Sequence, residues 1–443
     1  MSNAEPATSG VVAEDTEVGS VFVSNYPPYS FWTEDQLPAL REALASGPRP
    51  GVPLGLYVHI PFCRKRCKFC YFRVYTDKNA SQVEEYIAAV NREAELYRDQ
   101  PALAERPADF VYFGGGTPSF ISVKHLRQLV EGLRQRFDWS RMREFAFECE
   151  PGTLTRSKLE AIRDIGVTRL SLGVEHFDDK ILAENGRAHV SKEIYRVLPW
   201  IRELDFPQLN VDLISGLVGE SWGTWKETVE KTLEIAPDSV TIYQLERPYS
   251  TVYSKARLEG DGGPVVADWE TKRQWQAYAI DRMEECGYEV SSAYTLVKKG
   301  SRDPFVYRDS LWEGADLLPL GVSSFGHLSG VHFQNDASWK GYLDRVGAGE
   351  LPLARAFATT SDERLTRELI LQLKRGYLAL EPLSEKFSVD VKERYRPALE
   401  VLERQDWLRL EDDRIRLSRA GLLRVDQLLP VFYDEKYRGS RYT

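Results

Sequence analysis

The sequence predicts an α/β fold whose main body is a parallel sheet with helices packed over it, of an extent that suits a partial (β/α)6, TIM-like barrel. Two observations predict the sheet, and a third places the functional end. From about residue 55 to 245, short apolar runs alternate with amphipathic helical patterns, the signature of successive βαβ units. There are six such runs. Three of the five cysteines fall within eight residues, directly after the first run. In a barrel of this kind functional residues gather at the C-terminal strand ends, which is where that loop falls.

Residues 1–20 are small, polar and acidic and read as a disordered tail. Residues 21–50 differ. Val21, Phe22, Val23, Tyr26, Tyr29, Phe31 and Trp32 are too apolar to leave in water, and either pack on the main domain or help close a substrate site. A helix is expected over 34–45. Strands are expected at 55–60, 109–113, 144–149, 168–173, 208–214 and 238–243, with helices at 81–98, 121–137, 155–164, 191–204 and 222–234 between them. A helix over 268–286 precedes a strand beginning at Tyr288, and the pattern to about 345 is less regular. From 360 onward the chain is helical and charged. Alternation across Trp407–Leu410 and Ile415–Leu417 suggests a β-ribbon, hence a helical, winged-helix-like domain. Its mixed charge favours a lid or docking role over DNA binding. Expected domains are thus an acidic tail and aromatic arm over 1–50, the core barrel over 51–290, a barrel extension and connector over 291–350, and the C-terminal domain over 351–443.

The cysteine loop reads Cys63-Arg64-Lys65-Arg66-Cys67-Lys68-Phe69-Cys70. Three thiolates on one tight loop can hold three corners of a [4Fe–4S] cluster and leave the fourth iron open to a small molecule. A structural zinc site wants four ligands, usually in two pairs, and Cys149 and Cys286 are isolated. A disulfide framework wants an even count in a small secreted chain. A buried cysteine cluster is a further reading, but the four cations of this loop make a poor core segment and would favour thiolates.

Cys-x3-Cys-x2-Cys after a first strand resembles the signature of radical S-adenosylmethionine (SAM) enzymes. The longer string YVHIPFCRKRCKFC is similar to the oxygen-independent coproporphyrinogen III oxidase-like (HemN-type) group. The resemblance extends from about residue 53 to the C-terminus. It implies the partial barrel, a HemN-type C-terminal domain, one [4Fe–4S] cluster on Cys63, Cys67 and Cys70, and two SAM molecules. It also implies site residues. Tyr57 is similar to a tyrosine near the methionine end of SAM, and Phe69 is placed to touch adenine. FGGGTP resembles the family's GGGTP, giving Gly115, Gly116 and Thr117 as contacts to the ammonium and carboxylate of SAM. Strand alternation independently puts Phe145, Phe147 and Cys149 on one face and Glu148 on the other, towards the lumen. Glu148 resembles the glutamate that binds the first SAM, and Cys149 reads as core. For the second SAM the resemblance implies Glu175, Arg187 and Asp212, with Gln244 at the end of the sixth strand. Val322, Ser323 and Phe325 are expected to line the same cavity. His59, His125, His189 and His332 read as structural.

Composition is that of an ordinary globular protein, with a formal charge of −9, which argues against nucleic acid or an anionic membrane as the main partner. No apolar run approaches the length of a membrane span. The first 40 residues lack Lys and Arg, against a targeting peptide, so a cytoplasmic location is expected. Within the family, the oxidase commonly has a cysteine two positions after the third cluster cysteine, where this chain has Phe72. That departure points to the class C methyltransferase or cyclopropanase branch. The expected reaction is transfer of a SAM-derived one-carbon unit to an sp2 carbon of an aromatic or unsaturated substrate, with Glu175 or His176 moving protons. Oxidative decarboxylation of a porphyrinogen and heme chaperoning are the other readings. Expected partners are an aromatic or tetrapyrrole-like small molecule and a flavodoxin- or ferredoxin-type electron donor.

Overall fold

The computed structural model describes residues 15–260, 263–301 and 305–440; most of the expected acidic tail, residues 1–14, lies outside them. Helix α1 (Leu37–Ala45) leads into β1 (Leu54–Ile60). There follow α2 (Ala80–Arg98), β2 (Phe110–Gly115), α3 (Val123–Arg134), β3 (Glu144–Cys149), α4 (Arg156–Asp164), β4 (Arg169–Glu175), α5 (Asp179–Glu184), α6 (Ser191–Glu203), β5 (Gln208–Ser215), α7 (Trp222–Ile235) and β6 (Ser239–Gln244). The six strands pair in parallel and in chain order. Local signals agree with this frame. Asn79, Ser122, Thr155 and Ser221 each accept a backbone N–H at the start of α2, α3, α4 and α7, which satisfies donors that a helix start leaves open. Leu170, Leu172 and Val174 of β4 and Val240 and Ile242 of β6 bury their side chains under the helices.

The region beyond β6 is more regular than expected. After α8 (Val252–Leu258) and α9 (Trp269–Glu285), β7 (Tyr288–Val290) and β8 (Thr295–Lys298) add antiparallel to β6. Residue 290, the expected end of the core, is therefore the last residue of β7 and pairs with Leu296 of β8. Helix α10 (Val306–Trp312) precedes β9 (Asp316–Leu320), which pairs in parallel with β1 on its other side. Then β10 (Phe325–Leu328), β11 (Val331–Asn335), α11 (Trp339–Gly347) and β12 (Leu353–Ala358) complete an antiparallel extension. The result is one twelve-stranded mixed sheet, with β7 and β12 at its ends, and not a closed barrel. These later strands are short and separated by turns at Gly321 and Gly330, both with positive φ, so their hydrophobic period is brief.

The aromatic arm runs between the two ends of the sheet. Gly19 donates to the Arg247 carbonyl at 2.8 Å just past β6, and Thr33 exchanges backbone hydrogen bonds with Ala356 of β12 at 3.0 and 2.9 Å. The arm's Val23 and Tyr26 belong to a second core, that of the C-terminal domain. This domain comprises α12 (Ser361–Leu373), β13 (Tyr377–Ala379), α13 (Glu381–Phe387), α14 (Val391–Arg394), α15 (Arg396–Arg404), and the ribbon β14 (Leu408–Glu411) and β15 (Arg414–Leu417). The N-terminal end of the lumen is plugged by α10. Tyr307 packs on Tyr112 with ring centres 4.2 Å apart, and Glu144 accepts the N–H groups of Val306 and Tyr307 at 3.2 and 2.9 Å.

Candidate active site

Chain direction in the parallel strands carries every inward side chain near a C-terminal strand end to one mouth. The cysteine loop leaves β1 there. It is held on both sides: Cys63 N–H donates to Tyr75 O (3.1 Å), Lys68 N–H to Asn185 O (3.1 Å), and Val252 N–H to Lys68 O (3.1 Å). Gly186, with φ of +77°, lets the loop after α5 lie against it; a Cβ there would meet the Lys68 nitrogen at 3.2 Å. All three thiols are free and partly accessible. Two donors aim at their sulfurs. Thr117 Oγ1 lies 3.3 Å from Cys63 Sγ, and Arg187 Nη1 lies 3.5 Å from Cys67 Sγ. Burial pushes the Cys63 thiol up to about 11 and the Cys70 thiol up to about 12, so these sulfurs ionise only against a strong positive partner. Among the described residues no three His, Cys, Asp or Glu side chains converge on a single metal ion. A polynuclear cluster needs no such convergence, because each iron takes its own thiolate, and the donor set fits a [4Fe–4S] cluster.

Below the loop the lumen is lined by carboxylates. Glu148 accepts the Tyr112 hydroxyl at 2.7 Å and the Gly115 N–H at 3.1 Å. Asp212 accepts the Ser171 hydroxyl at 2.6 Å and the Asn210 amide at 2.9 Å. Glu175 lies 3.5 Å from Arg187 Nη1, and that guanidinium also donates to Gly173 O at 2.8 Å. Arg187 thus ties a lumen carboxylate to a cluster-loop sulfur. Burial raises Glu148 to about 7, with Asp212 and Glu175 adding repulsion against its hydrogen bonds. Burial likewise raises Glu175 to about 7, opposed by Arg187, and Asp212 to about 6, opposed by Ser171 and Asn210. Glu246 beyond β6, hydrogen-bonded by Ser20, is raised by burial to about 7. Acids left this far from neutralised mark a site whose missing partner is a cation. SAM carries a sulfonium and an ammonium, so the lumen fits it.

Tyr57 faces the same lumen; its hydroxyl is 3.1 Å from His59 Nδ1 and its ring stacks on Tyr112. Phe69 packs on the apolar patch of Ile181, Ile214, Leu217 and Leu245 at the ends of β5 and β6. The glycine triplet serves the protein's own packing. A Cβ on Gly115 (φ +110°) would meet the His59 ring at 2.4 Å, and one on Gly116 would meet Ile60 O at 2.8 Å. The Gly115 N–H already donates to Glu148.

Three expected site residues are not brought into the lumen. His176 follows the end of β4, where Glu175 takes a φ of +63° and the His176 N–H turns back to the Val174 carbonyl at 2.8 Å. Its Nδ1 accepts the Asp178 N–H at 2.9 Å, and its Nε2 lies 3.1 Å from Thr228 Oγ1 and 3.3 Å from Glu220, under α7. It has no route to a substrate carried by Glu175. Gln244 shares the parity of Val240 and Ile242, whereas Tyr243 is the inward residue. Val322 is fully buried in the main core, where its N–H donates to Tyr86 Oη at 3.1 Å.

Other residues emerge only from the structure. Glu150 braces the cluster loop: it accepts Arg64 at 3.2 Å and lies 3.2 Å from His189 Nδ1. Burial opposes its charge, but His189, Arg187 and Arg64 hold it down at about 2. Cys149 is buried core, as alternation requires. Around the mouth stand Tyr71 and Phe72, stacked at 4.5 Å, with Tyr243 and Phe325; all four are 41–43% exposed. Burial raises the phenols of Tyr71 and Tyr243, and the lumen carboxylates add repulsion, Glu246 and Glu148 on Tyr71 and Asp212 and Glu148 on Tyr243, which places both rings beside the lumen acids.

The fold is of the radical SAM type, and the donor set of this site fits that type. Residues 57–232 match the radical SAM superfamily, and residues 359–424 match the HemN C-terminal domain. The HemN-type family is supported by relatives along nearly the whole chain. The oxygen-independent coproporphyrinogen III oxidase of Synechocystis is 25% identical, over 92% of this chain and 91% of its own. That of Pseudomonas aeruginosa is 26% identical, over 90% and 88%. The heme chaperone HemW of Bacillus subtilis is 24% identical, over 86% and 99%. The solved structure of coproporphyrinogen III oxidase (HemN) from Escherichia coli superposes with a TM-score of 0.81 at 23% identity, covering 94% of this chain and 99% of that one, and shows the shared fold. Relatives so named overturn the expectation of one-carbon transfer: similarity spread along about nine-tenths of the chain outweighs a local departure such as Phe72. Among the described residues no helix is long and apolar enough to cross a membrane.

Proposed function

We propose that this protein is a HemN-type radical SAM enzyme that oxidatively decarboxylates a propionate side chain of a porphyrinogen-type tetrapyrrole. The observation that carries this reading is the similarity to coproporphyrinogen III oxidases over about nine-tenths of both chains. Cys63, Cys67 and Cys70 would hold the cluster. Glu148, Tyr57, Thr117 and the Gly115–Gly116 backbone would hold one SAM, with Phe69 beside its adenine. Glu175, Arg187 and Asp212 would hold a second. When bound, the cluster and SAM supply a 5′-deoxyadenosyl radical, able to take a hydrogen atom from a saturated carbon. The net change on the substrate is propionate to vinyl plus carbon dioxide, with one hydrogen atom passing to that radical and one electron to an external acceptor.

The chain's own residues supply confinement and orientation. Tyr57, Tyr112 and Tyr307 close the lower lumen against water, which protects a reactive intermediate from side reactions. The exposed faces of Tyr71, Phe72, Tyr243 and Phe325 offer flat apolar contact to a macrocycle. Lys65 and Arg66, exposed on the cluster loop, offer positive charge to an acidic flavodoxin- or ferredoxin-type donor. Incubating the reduced, cluster-loaded protein anaerobically with SAM and coproporphyrinogen III should release carbon dioxide and yield a vinyl product; intact substrate would refute the proposal.

A second reading, heme chaperoning, is favoured by two observations. The chain covers 99% of the Bacillus subtilis HemW, and Phe72 stands where the oxidase commonly has cysteine. A stoichiometric Soret band on heme addition, with coproporphyrinogen III left intact, would select it.

A further inference from the structure

We propose that Arg355 is the anchor of a carboxylate subsite, on the β9–β12 side of the lumen mouth, that takes an acidic side chain of a tetrapyrrole substrate. This inference rests on the tetrapyrrole reading above and names the residue that would recognise the substrate's acid groups. Strand register places it. Tyr57, an inward residue, pairs with Pro319 of β9, and Leu317 shares that face. Leu317 pairs with His327, two residues along from Phe325; Phe325 pairs with Gln334, and Gln334 with Arg355. Phe325, Gln334 and Arg355 therefore form one cross-strand row on the lumen side. Phe325 is 41% exposed although it lies on the inner face, so the cavity is open at this row.

The guanidinium is fixed in orientation but not neutralised. Its Nε donates to Gln334 Oε1 at 2.7 Å, and its Cζ lies 4.9 Å from the centre of the Tyr29 ring. Gln334 is itself locked, because its Nε2 donates to Ser323 O at 3.2 Å and lies 3.3 Å from Ser323 Oγ. Ser323 holds a left-handed φ of +61°, a conformation that costs a non-glycine residue energy and recurs at ligand sites. The Nη edge, the fork that reads a carboxylate with two parallel bonds, has no ion-pair or hydrogen-bond partner among the described residues. Other lumen and sheet arginines differ: Arg106 pairs with Asp316, Arg169 with Glu144 and Arg187 with Glu175. A half-buried arginine without an acid is held at a cost that an anionic ligand would offset; its burial already lowers its proton affinity. Trp32 and Tyr29 meet Phe325 edge to face, at 5.7 and 6.2 Å, so the charged fork sits among aromatic edges. A carboxylate carried on an apolar pyrrole ring matches both features.

The test measures binding, not turnover. Cluster-loaded full-length protein is titrated with coproporphyrin III, the fluorescent tetra-acid, and separately with its neutral tetramethyl ester. The wild type is expected to prefer the acid by about ten-fold or more, the scale of one charge-assisted bidentate contact. Arg355→Gln should abolish that preference while leaving ester binding unchanged, and Arg355→Lys should restore part of it; a merely structural role would weaken both ligands equally. Wild-type preference retained in Arg355→Gln overturns the subsite and leaves the tetrapyrrole reading standing. Failure of the wild type to bind either porphyrin overturns the tetrapyrrole reading itself, and the subsite with it.

Discussion

Replacing Glu148 by Gln separates the two demands on the lumen carboxylates. In the cofactor-free protein this carboxyl is raised from 4.5 to about 7, mainly by burial. A raised acid stabilises the fold below its unfolded pKa, and that contribution is lost as pH rises from 4.5 through 7. A shift of this size corresponds to about 3 kcal/mol at ~1.4 kcal/mol per unit, or about half that once partial access to the open lumen is allowed for. Gln does not titrate, so cofactor-free Glu148→Gln should lose less stability than the wild type between pH 5 and 7.5. It should also lose about 1 kcal/mol at every pH, because one amide oxygen cannot accept both the Tyr112 hydroxyl and the Gly115 N–H as the carboxylate does. SAM binding should move the opposite way. A cation selects the ionised carboxylate, so wild-type affinity should climb towards ten-fold per pH unit below 7 and flatten above it. Glu148→Gln should bind about 10- to 100-fold more weakly, the range for a hydrogen bond to a charged group, with the pH dependence reduced. Calorimetric titration of SAM into cluster-loaded protein, with urea unfolding of the cofactor-free form, measures both. Wild-type affinity in Glu148→Gln, or wild-type SAM binding independent of pH from 5.5 to 7.5, would refute the reasoning.

Four other substitutions probe the frame around the site. Glu93→Ala would orphan the Gly321 N–H and the Tyr342 hydroxyl and take from the Asn335 amide one of its three acceptors, and should cost about 2–5 kcal/mol in urea unfolding; a loss under about 1 kcal/mol would show that the turn after β9 needs no such clamp. Cys67→Ala should abolish the iron–sulfur chromophore, whereas Cys149→Ala should keep it and lose only packing, so an unchanged iron content in the first variant would remove Cys67 from the cluster. His176→Ala should cost about 2–4 kcal/mol through lost contacts to Asp178, Thr228 and Glu220, without slowing SAM cleavage in the folded protein; slowed cleavage at unchanged stability would put it back into the chemistry.

The six parallel strands are legible because each is an apolar run between amphipathic helices, and β3 even shows which face Glu148 takes. His176 lies just past β4, beyond the register shift and the positive φ at Glu175, so no strand period in the sequence could place it. Gln244 could have been excluded by alternation, because neighbouring residues in a strand face opposite ways and Tyr243 is the inward one. Val322 sits in a turn, where no period tells inside from outside. The β9–β12 extension was hidden because its strands are short and carry His, Gln, Asn, Arg and a proline in place of an apolar run. With it went Arg355, whose place depends on four successive strand pairings that no local pattern encodes. The glycine triplet resembles a ligand contact in the sequence, but a Cβ on Gly115 or Gly116 would meet His59 and the end of β1, so the protein's own packing already requires glycine there. Phe72 was given more weight as a branch marker than one residue carries against similarity along the whole chain.

The proposed function requires hydrogen to move from a tetrapyrrole propionate to the 5′-deoxyadenosyl radical. Coproporphyrinogen III deuterated at the propionate carbon next to the ring, incubated anaerobically with the reduced protein and SAM, follows that hydrogen. Deuterium is expected in the 5′-deoxyadenosine, in proportion to vinyl product formed. Unlabelled 5′-deoxyadenosine with the propionates intact would exclude the proposed reaction.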